Sequence, residues 1–361
     1  MANLEYTQYV ADMCMECMAC TKVCDFAKEY VDNPKLWASS FLAGKYVADQ
    51  KTPFLCTLCG KCATVCREKL DLGKMMLELR VAIQEEDLPL PGRVKFVKNT
   101  QKFDTGEELF LAKPAPSGST KRLFFPGCGL AGYSPEMAEA AWKWLNENDP
   151  DCGLLYTCCG APSLVSGNVG FYEEVVAKIK QTMADLGAEQ LVVICPDCME
   201  HFRDDAQIPF VSLYEVMDEK GNIPVKGHGE EWMIHDPCKS RSFPEVQQAA
   251  RNVIEKAGFT FSEPKNKGKR TCCCGQGGLI AYTDAKWAAA QSEKRAAEFT
   301  GHDVVTICGA CRESLAPYVP GVHLLDLLFN EDLDAAKVVP ACGMADKKAH
   351  QKKTRELLEQ A

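Results

Sequence analysis

The stretch Lys121–Asn146, KRLFFPGCGLAGYSPEMAEAAWKWLN, joins a short apolar segment to a helical one through a turn that contains cysteine and glycine. Lys121–Phe125 has the pattern of a strand, and Ser134–Asn146 has that of a helix. The same alternation continues with a helix predicted over Tyr172–Leu186 and a strand over Gln190–Cys195. Alternating strands and helices predict α/β layers built on parallel strands.

The order of elements recurs after about residue 228, with strands predicted over Trp232–His235 and Asp303–Cys308 and helices over Pro244–Ala257 and Thr283–Phe299. The cysteines recur with it. The first copy has Cys128, Cys158, Cys159, Cys195 and Cys198, and the second has Cys238, Cys273, Cys274, Cys308 and Cys311. This internal repeat predicts two similar half-domains of roughly 110 residues, related by pseudo-symmetry.

The N-terminal region has little β-branched patterning and is predicted to be helical. One helix is predicted over Leu72–Glu86, and the Pro/Gly-rich Leu88–Arg93 ends it. The composition of Ala112–Thr120, AKPAPSGST, predicts a linker, and a polar helical tail follows from Glu331. The predicted organisation is therefore a helical domain at 1–110, half-domains at 121–228 and 229–330, and a tail at 331–361.

Two cysteine arrays in the N-terminal region share the spacing C-x2-C-x2-C-x3-C. They are Cys14, Cys17, Cys20 and Cys24, and then Cys56, Cys59, Cys62 and Cys66. In such arrays the first three thiolates hold one cubane 4Fe–4S cluster, and the fourth reaches the other cluster. We therefore predict two cubane clusters, one on Cys14, Cys17, Cys20 and Cys66 and the other on Cys56, Cys59, Cys62 and Cys24. Structural zinc fits poorly, because tetrahedral zinc sites use two ligand pairs.

Composition limits the other functions. The net charge of −9 and the pI near 5.4 do not suit a nucleic-acid or anionic-membrane surface. The start, MANLEYTQYVADMC, lacks the features of a signal peptide, and no apolar run approaches the length of a membrane span. We therefore expect a cytoplasmic protein with reduced thiols, free or joined to a membrane complex through partners, rather than a disulfide scaffold among its 21 cysteines.

Each repeat offers five thiols, one more than a cubane needs, which predicts a larger or irregular cluster. The motifs are PGC, CCGAP and CPDC in the first copy and HDPC, CCCGQGG and CGAC in the second. With the phrases FFPGCGLAGYSPEMAEAA and HDPCKSR, the chain resembles the cysteine-rich CCG family. That family includes the catalytic subunit of heterodisulfide reductase and iron–sulfur subunits of glycolate, lactate and anaerobic glycerol-3-phosphate dehydrogenases. The fusion to an N-terminal two-cluster domain resembles the D-type subunit of heterodisulfide reductase.

The resemblance implies a noncubane 4Fe–4S cluster at each repeat and reduction of a disulfide between the two clusters. The ligands would be Cys128, Cys158, Cys159, Cys195 and Cys198 at one site, and Cys238, Cys273, Cys274, Cys308 and Cys311 at the other. The extra Cys272 leaves open which adjacent pair binds, and we choose Cys273–Cys274 because glycine follows directly. Rossmann-like half-domains are expected. Both repeats are complete, which favours the reductase branch over dehydrogenase relatives with a degenerate copy.

An alternative is a relay without a substrate of its own. It would link a flavoprotein dehydrogenase to quinone, or an electron-bifurcating flavin subunit to a low-potential enzyme such as a class II benzoyl-CoA reductase complex. The chain has no nucleotide fingerprint, so any flavin belongs to a partner. The expected partners are a flavin-containing subunit (heterodisulfide reductase A-like or dehydrogenase), ferredoxin- or hydrogenase-type proteins, or a membrane complex.

Single residues outside the arrays give weaker hypotheses. His235 precedes Cys238 at a strand end and is a candidate catalytic proton donor, since histidine titrates in a suitable range. His201, after Cys198, is a similar and weaker candidate. For Cys152, Cys272 and Cys342 we predict buried, inert thiols.

Overall fold

The computed structural model describes residues 3–361 and shows a mixed α/β protein with a helical N-terminal region. That region contains the helices α1 (Glu5–Met13), α2 (Pro34–Leu42), α3 (Lys61–Val65), α4 (Leu72–Glu85) and α5 (Val97–Asp104). The Asp71 carboxylate caps α4 by accepting from the Gly73 N–H, and the helix ends after Glu85, before the Pro/Gly segment. The helix predicted over Leu72–Glu86 is therefore confirmed.

The first sheet has five strands in the order β1-β3-β2-β4-β5. They are β1 (Leu111–Lys113), β2 (Arg122–Phe125), β3 (Cys152–Tyr156), β4 (Gln190–Val193) and β5 (Phe210–Ser212). All neighbours are parallel except β1, which runs antiparallel to β3. The predicted linker is therefore wrong at Ala112 and Lys113, because these residues cover the otherwise unpaired edge of β3.

The second sheet has four parallel strands in the order β7-β6-β8-β9. They are β6 (Glu231–His235), β7 (Thr260–Ser262), β8 (Val304–Thr306) and β9 (Gly321–His323). Apart from β1, the two sheets have the same strand order. In each half the first strand in the chain lies between the second and the third, and the fourth pairs with the third. The alternation of parallel strands and helices predicted from the sequence is confirmed, although β3, β5, β7 and β9 were not predicted.

Helices connect the strands of both sheets. Those of the first half are α6 (Gly127–Tyr133), α7 (Pro135–Asn148), α8 (Ala161–Val165), α9 (Val169–Leu186), α10 (Pro196–Phe202) and α11 (Leu213–Lys220). Those that follow are α12 (Pro244–Lys256), α13 (Ile280–Thr283), α14 (Ala285–Ala296), α15 (Gly309–Leu315), α16 (Leu324–Phe329), α17 (Leu333–Ala336) and α18 (Met344–Gln360). Within residues 3–361, every helix is too short or too polar to cross a bilayer.

Buried apolar side chains form one large core shared by both sheets, a separate N-terminal core and a smaller cluster against the second sheet. Phe124 of β2 and Ile234 of β6 belong to the shared core. Met75, Met76 and Leu79 of α4 belong to the N-terminal core. Since the two sheets bury their faces in common, the two halves pack as one body, and the N-terminal region attaches to it through a separate set of contacts.

The side chain of Arg80 provides several of these contacts. It is fully buried on α4, and it donates five hydrogen bonds of 2.8–3.0 Å to four backbone carbonyls. The acceptors come from the N-terminal region, from the end of α8 and from the loop before α13: Pro53, Cys56, Val165 and Gly278. Burial lowers the pKa of Arg80 to about 10, so the guanidinium remains charged at neutral pH.

We predict that Arg80→Met lowers the free energy of unfolding by at least ~3 kcal/mol, because it leaves several buried carbonyls without a donor. Anoxic denaturant unfolding of the iron-loaded protein, followed by circular dichroism, measures the change. Lys74→Met, at an exposed position on the same helix, is the control and should have little effect. Equal midpoints for the two variants would contradict the assigned role of Arg80.

Candidate iron–sulfur sites

The first ferredoxin-type site lies near the surface. Cys14, Cys17, Cys20 and Cys66 line one depression together with Met15, Met18 and Pro34. The Cys17 side chain is exposed, whereas the other three thiols are partly buried. The fourth cysteine of the second array, Cys66, thus lies with the first three of the first array, as the crossed ligand set requires.

The second ferredoxin-type site is more deeply buried and brings together Cys24, Cys56, Cys59 and Cys62. Burial, and next the charge of Cys59, raises the pKa of Cys24 to about 12. Backbone N–H groups point at these sulfur atoms: Leu58 donates to Cys56 at 3.4 Å and Leu72 to Cys62 at 3.3 Å. Such N–H···S bonds stabilise thiolates and bound clusters.

The backbone explains how three cysteines in each array converge. Glu16 and Met18 have φ angles of 54° and 57°, and Leu58 and Gly60, at the matching positions, have 54° and 70°. Left-handed backbone is unfavourable for the three non-glycine residues, and such strain is typical of functional sites. The two arrays thus share one loop conformation, which turns each successive thiol toward the same point.

The first CCG site forms where β2, β3 and β4 end. Cys128 follows β2, Cys158 and Cys159 follow β3, and Cys195 and Cys198 follow β4. The carboxyl ends of parallel strands meet at one edge of a sheet, so these thiols converge. The Cys128 and Cys158 sulfur atoms are 3.4 Å apart. Hydrogen bonds from Cys128 and then Cys159 lower the pKa of Cys158 well below its usual range.

The second CCG site forms in the same way after β6, β7 and β8. Cys238 and then Cys274 donate to Cys273 and lower its pKa well below the usual range. Cys311 interacts with Cys274 and Cys308. The sulfur atom of the additional Cys272 contacts the Lys61 amine at 2.7 Å.

The second ferredoxin-type site and the two CCG sites are adjacent. Burial, and next the charge of Cys273, raises the pKa of Cys59, which places the second ferredoxin-type site beside the second CCG site. Hydrogen bonds from Cys198 and then from Cys308 lower the pKa of Cys195 well below its usual range, which brings the two CCG sites together. The loops meet as well, because a Cβ on Gly309 would lie 3.0 Å from the Gly129 carbonyl oxygen.

Residues of α5, which sequence reasoning missed, line the first CCG site. The Gln101 amide donates to the Cys158 sulfur at 3.5 Å, and Asp104 lies with Cys128 and Cys158 within 4.8 Å. Burial, and next the charge of Cys158, raises the pKa of Asp104 to about 7. No motif marks either residue, because both reach the site from a helix that precedes the repeat.

The predicted histidines lie near the CCG sites. His235 is fully buried within 4.8 Å of Cys274 and Cys311. Burial, and next the charge of Arg295, lowers its pKa well below the usual range, so the ring is neutral. His201, on α10, stacks edge-on against Tyr172, and burial lowers its pKa.

The three leftover cysteines have different environments. Cys152 is fully buried in β3, as predicted. The prediction of burial is wrong for Cys272 and Cys342, because both are partly exposed. The Cys272 sulfur contacts the Lys61 amine, and the Cys342 backbone N–H donates to Glu313 at 3.1 Å. Both lie in connecting segments outside the sheets, where the chain is not covered on all sides.

The donor sets fit iron–sulfur clusters. Each ferredoxin-type site offers four thiols and each CCG site offers five. Glycines at the CCG sites allow the backbone to lie close to the cysteine sulfur atoms. A Cβ on Gly127 would lie 3.3 Å from the Cys198 sulfur, and one on Gly277 would lie 3.5 Å from the Cys273 sulfur. Soft thiolate ligands in these numbers select iron–sulfur clusters over hard cations.

Adjacent cysteines provide a matched test of the second CCG site. We predict that Cys273→Ser loses about four iron atoms per chain, as expected for one cluster, whereas Cys272→Ser keeps its full iron content. Iron and acid-labile sulfide, measured after anoxic purification, report the difference. Iron loss in Cys272→Ser with retention in Cys273→Ser would show that the adjacent pair is wrongly assigned.

Comparisons with known proteins agree with these sites. Residues 10–70 match the 4Fe-4S dicluster domain family, and residues 122–203 and 232–316 each match the cysteine-rich domain family called CCG. The B-type subunit of the fumarate reductase (CoM/CoB) from Methanothermobacter marburgensis is 24% identical, over 92% of this chain and 71% of that protein.

Two further relatives are a subunit of a reductase and an oxidoreductase. The D-type subunit of the dihydromethanophenazine:CoB–CoM heterodisulfide reductase from Methanosarcina mazei is 24% identical, over 72% of this chain and 71% of that protein. An EtfAB:quinone oxidoreductase from Syntrophomonas wolfei is 21% identical, over 64% of this chain but 37% of that protein. The chain thus contains a 4Fe-4S dicluster domain followed by two copies of the cysteine-rich CCG domain, and it is an iron–sulfur electron-transfer subunit related to the D-type subunit of heterodisulfide reductase.

Proposed function

We propose that this chain is a disulfide-reducing subunit of the heterodisulfide reductase type. Two cubane clusters in the domain at 1–110 would receive electrons from a flavin-containing partner. Two noncubane clusters, one in each pseudo-symmetric, Rossmann-like half-domain at 121–228 and 229–330, would face the substrate. Iron–sulfur clusters supply one electron at a time, so two of them suit a two-electron reduction.

The contact between Cys195 and Cys308 is the observation that carries this proposal. Each belongs to a different five-thiol set, yet each alters the other's pKa, and the adjoining loops touch where a Cβ on Gly309 would lie 3.0 Å from the Gly129 carbonyl oxygen. A disulfide bound at this boundary would touch both sites. Its S–S bond would break as one electron arrived from each side, and two protons would complete two product thiols.

The arrangement of the N-terminal sites supports uptake of electrons at one end. Cys17 is exposed. Met13 and Met15, on either side of Cys14, are 40% and 59% exposed, so a partner would have an apolar surface to contact. The other ferredoxin-type site is buried and lies against the second CCG site through Cys59 and Cys273. An electron accepted beside Cys17 would therefore have a continuous series of sites leading inward. The partner we favour is a flavin-containing subunit or a ferredoxin-type protein.

A relay without its own substrate is the second candidate, and the likeness to an EtfAB:quinone oxidoreductase favours it. In that case the chain would carry electrons between a flavoprotein and quinone, or between a bifurcating flavin subunit and a low-potential enzyme. The same four cysteine groups serve both functions, so the chemistry of the two CCG sites decides between them.

Iron content and electron paramagnetic resonance (EPR) test the proposal. After anoxic purification we expect about 16 iron atoms per chain, together with noncubane signals that change when a thiol is added to the oxidised protein. The thiol matters because it mimics half of a cleaved disulfide. About 8 to 12 iron atoms with cubane signals alone would contradict the two-site reductase and leave the relay.

A further inference from the structure

The two CCG sites differ in residue type at one equivalent position of the repeat. Phe125 and His235 each end the first strand of their half, three residues before the first cysteine. Their sheet partners are also equivalent: Phe125 pairs with Val193 and His235 with Thr306, each two residues before the cysteine that opens a CxxC. The repeat therefore places a phenyl ring at the first site where the second has an imidazole.

The hydrogen bonds of His235 define its tautomer. Its Nδ1 atom lies 3.3 Å from Nε and 3.1 Å from Nη2 of Arg295. A guanidinium is a donor and cannot accept, so Nδ1 accepts and carries no hydrogen. The neutral ring therefore has its only N–H at Nε2.

Arg295 is itself held in place. It is buried, its Nη1 atom pairs with a Glu298 carboxylate oxygen at 2.9 Å, and it lies over the Phe299 ring at 4.6 Å. The Phe299 ring also meets the His235 ring edge-on at 5.7 Å. These contacts hold the guanidinium and the imidazole ring in this relative orientation.

The Nε2 atom of His235 is completely buried and has no hydrogen-bond partner in the part of the chain that the structure describes. A buried donor without a partner is costly, by about 1–3 kcal/mol. A ring nitrogen of His235 and the sulfur atoms of Cys274 and Cys311 lie within 4.8 Å of one another. Sulfur atoms of the second CCG site are therefore acceptors close to the His235 ring.

We propose that His235 is a positioning residue whose Nε2–H donates a hydrogen bond to a sulfur of the second CCG cluster, with Arg295 fixing the tautomer. Phe125 offers no such donor to the first cluster. Hydrogen bonds to sulfur stabilise the reduced, more negative form of a cluster and raise its potential. The inference rests on the part of the proposed function that assigns a cluster to each repeat, and not on the identity of the acceptor.

The charges around the two sites act in the same direction. The first site has the Asp104 carboxyl beside Cys128 and Cys158, whereas the second has the Arg295 cation beside His235. A neighbouring cation favours added negative charge and a carboxylate disfavours it. Because the Glu298 carboxylate balances the charge of Arg295, the larger contribution at the second site would come from the His235 N–H.

Two substitutions at one residue test the proposal. His235→Phe gives the second site the side chain of the first, and His235→Gln removes the ring but keeps an N–H donor. EPR-monitored redox titration of the iron-loaded chain gives the midpoint potential of each CCG signal, and the signal lost in Cys273→Ser identifies the second site. We expect His235→Phe to lower the second-site potential clearly and His235→Gln to lower it less, while the first-site potential stays the same as an internal control.

The outcomes separate this inference from the proposed function. If the second-site signal is present in the unaltered chain but does not move in His235→Phe, the inference is overturned alone. Equal shifts, or equal losses of iron, in the two variants would also overturn it, because ring shape rather than the N–H would then matter. If the unaltered chain has no second-site signal, the cluster assignment fails first.

Discussion

The buried guanidinium of Arg80 is the interaction on which the arrangement of the cysteine sites depends. Its acceptors lie at the start of the second array, at the end of α8 in the first half and before α13 in the second half. Burying a cation costs several kcal/mol unless its hydrogen bonds are satisfied, and here four carbonyls satisfy them. The same cation lies near the Cys56 thiol, where it lowers the cost of negative charge.

By donating to both Cys56 and Gly278, Arg80 holds the loop of the second cysteine array against the loop before α13. Gly278 and Gly277 pack on the backbone of Cys56 and Thr57 so closely that a Cβ on either would lie under 3.0 Å from a backbone atom. Lys239 and Arg241 add bonds from the second half to the carbonyls of Leu58 and Cys59. The second ferredoxin-type site is therefore joined to the second CCG site by close backbone packing and by side-chain hydrogen bonds, which explains why these two sites are neighbours.

The two halves have the same strand order but different surroundings. Each gathers its thiols at the carboxyl ends of parallel strands, a property of the topology that does not depend on the loops. The loops and neighbouring helices then differ: α5 brings Gln101 and Asp104 to the first site, and α14 brings Arg295 to the second. The repeat thus supplies two similar sets of ligands, and the parts of the chain outside it make them unequal.

The spacing of residues along the chain was enough to predict the iron–sulfur chemistry, the two cysteine arrays, the internal repeat and most of the longer helices and strands. These are local patterns of spacing, and spacing is visible without the fold. It missed β1 because strand pairing at an open edge decided the conformation of Ala112 and Lys113. Which sites are neighbours, what Arg80 and Arg295 contact, and that Cys17 is exposed became visible only in the folded chain. Those features depend on contacts between residues far apart in the chain, such as Arg80 and Gly278, which are 198 positions apart and for which no local pattern exists.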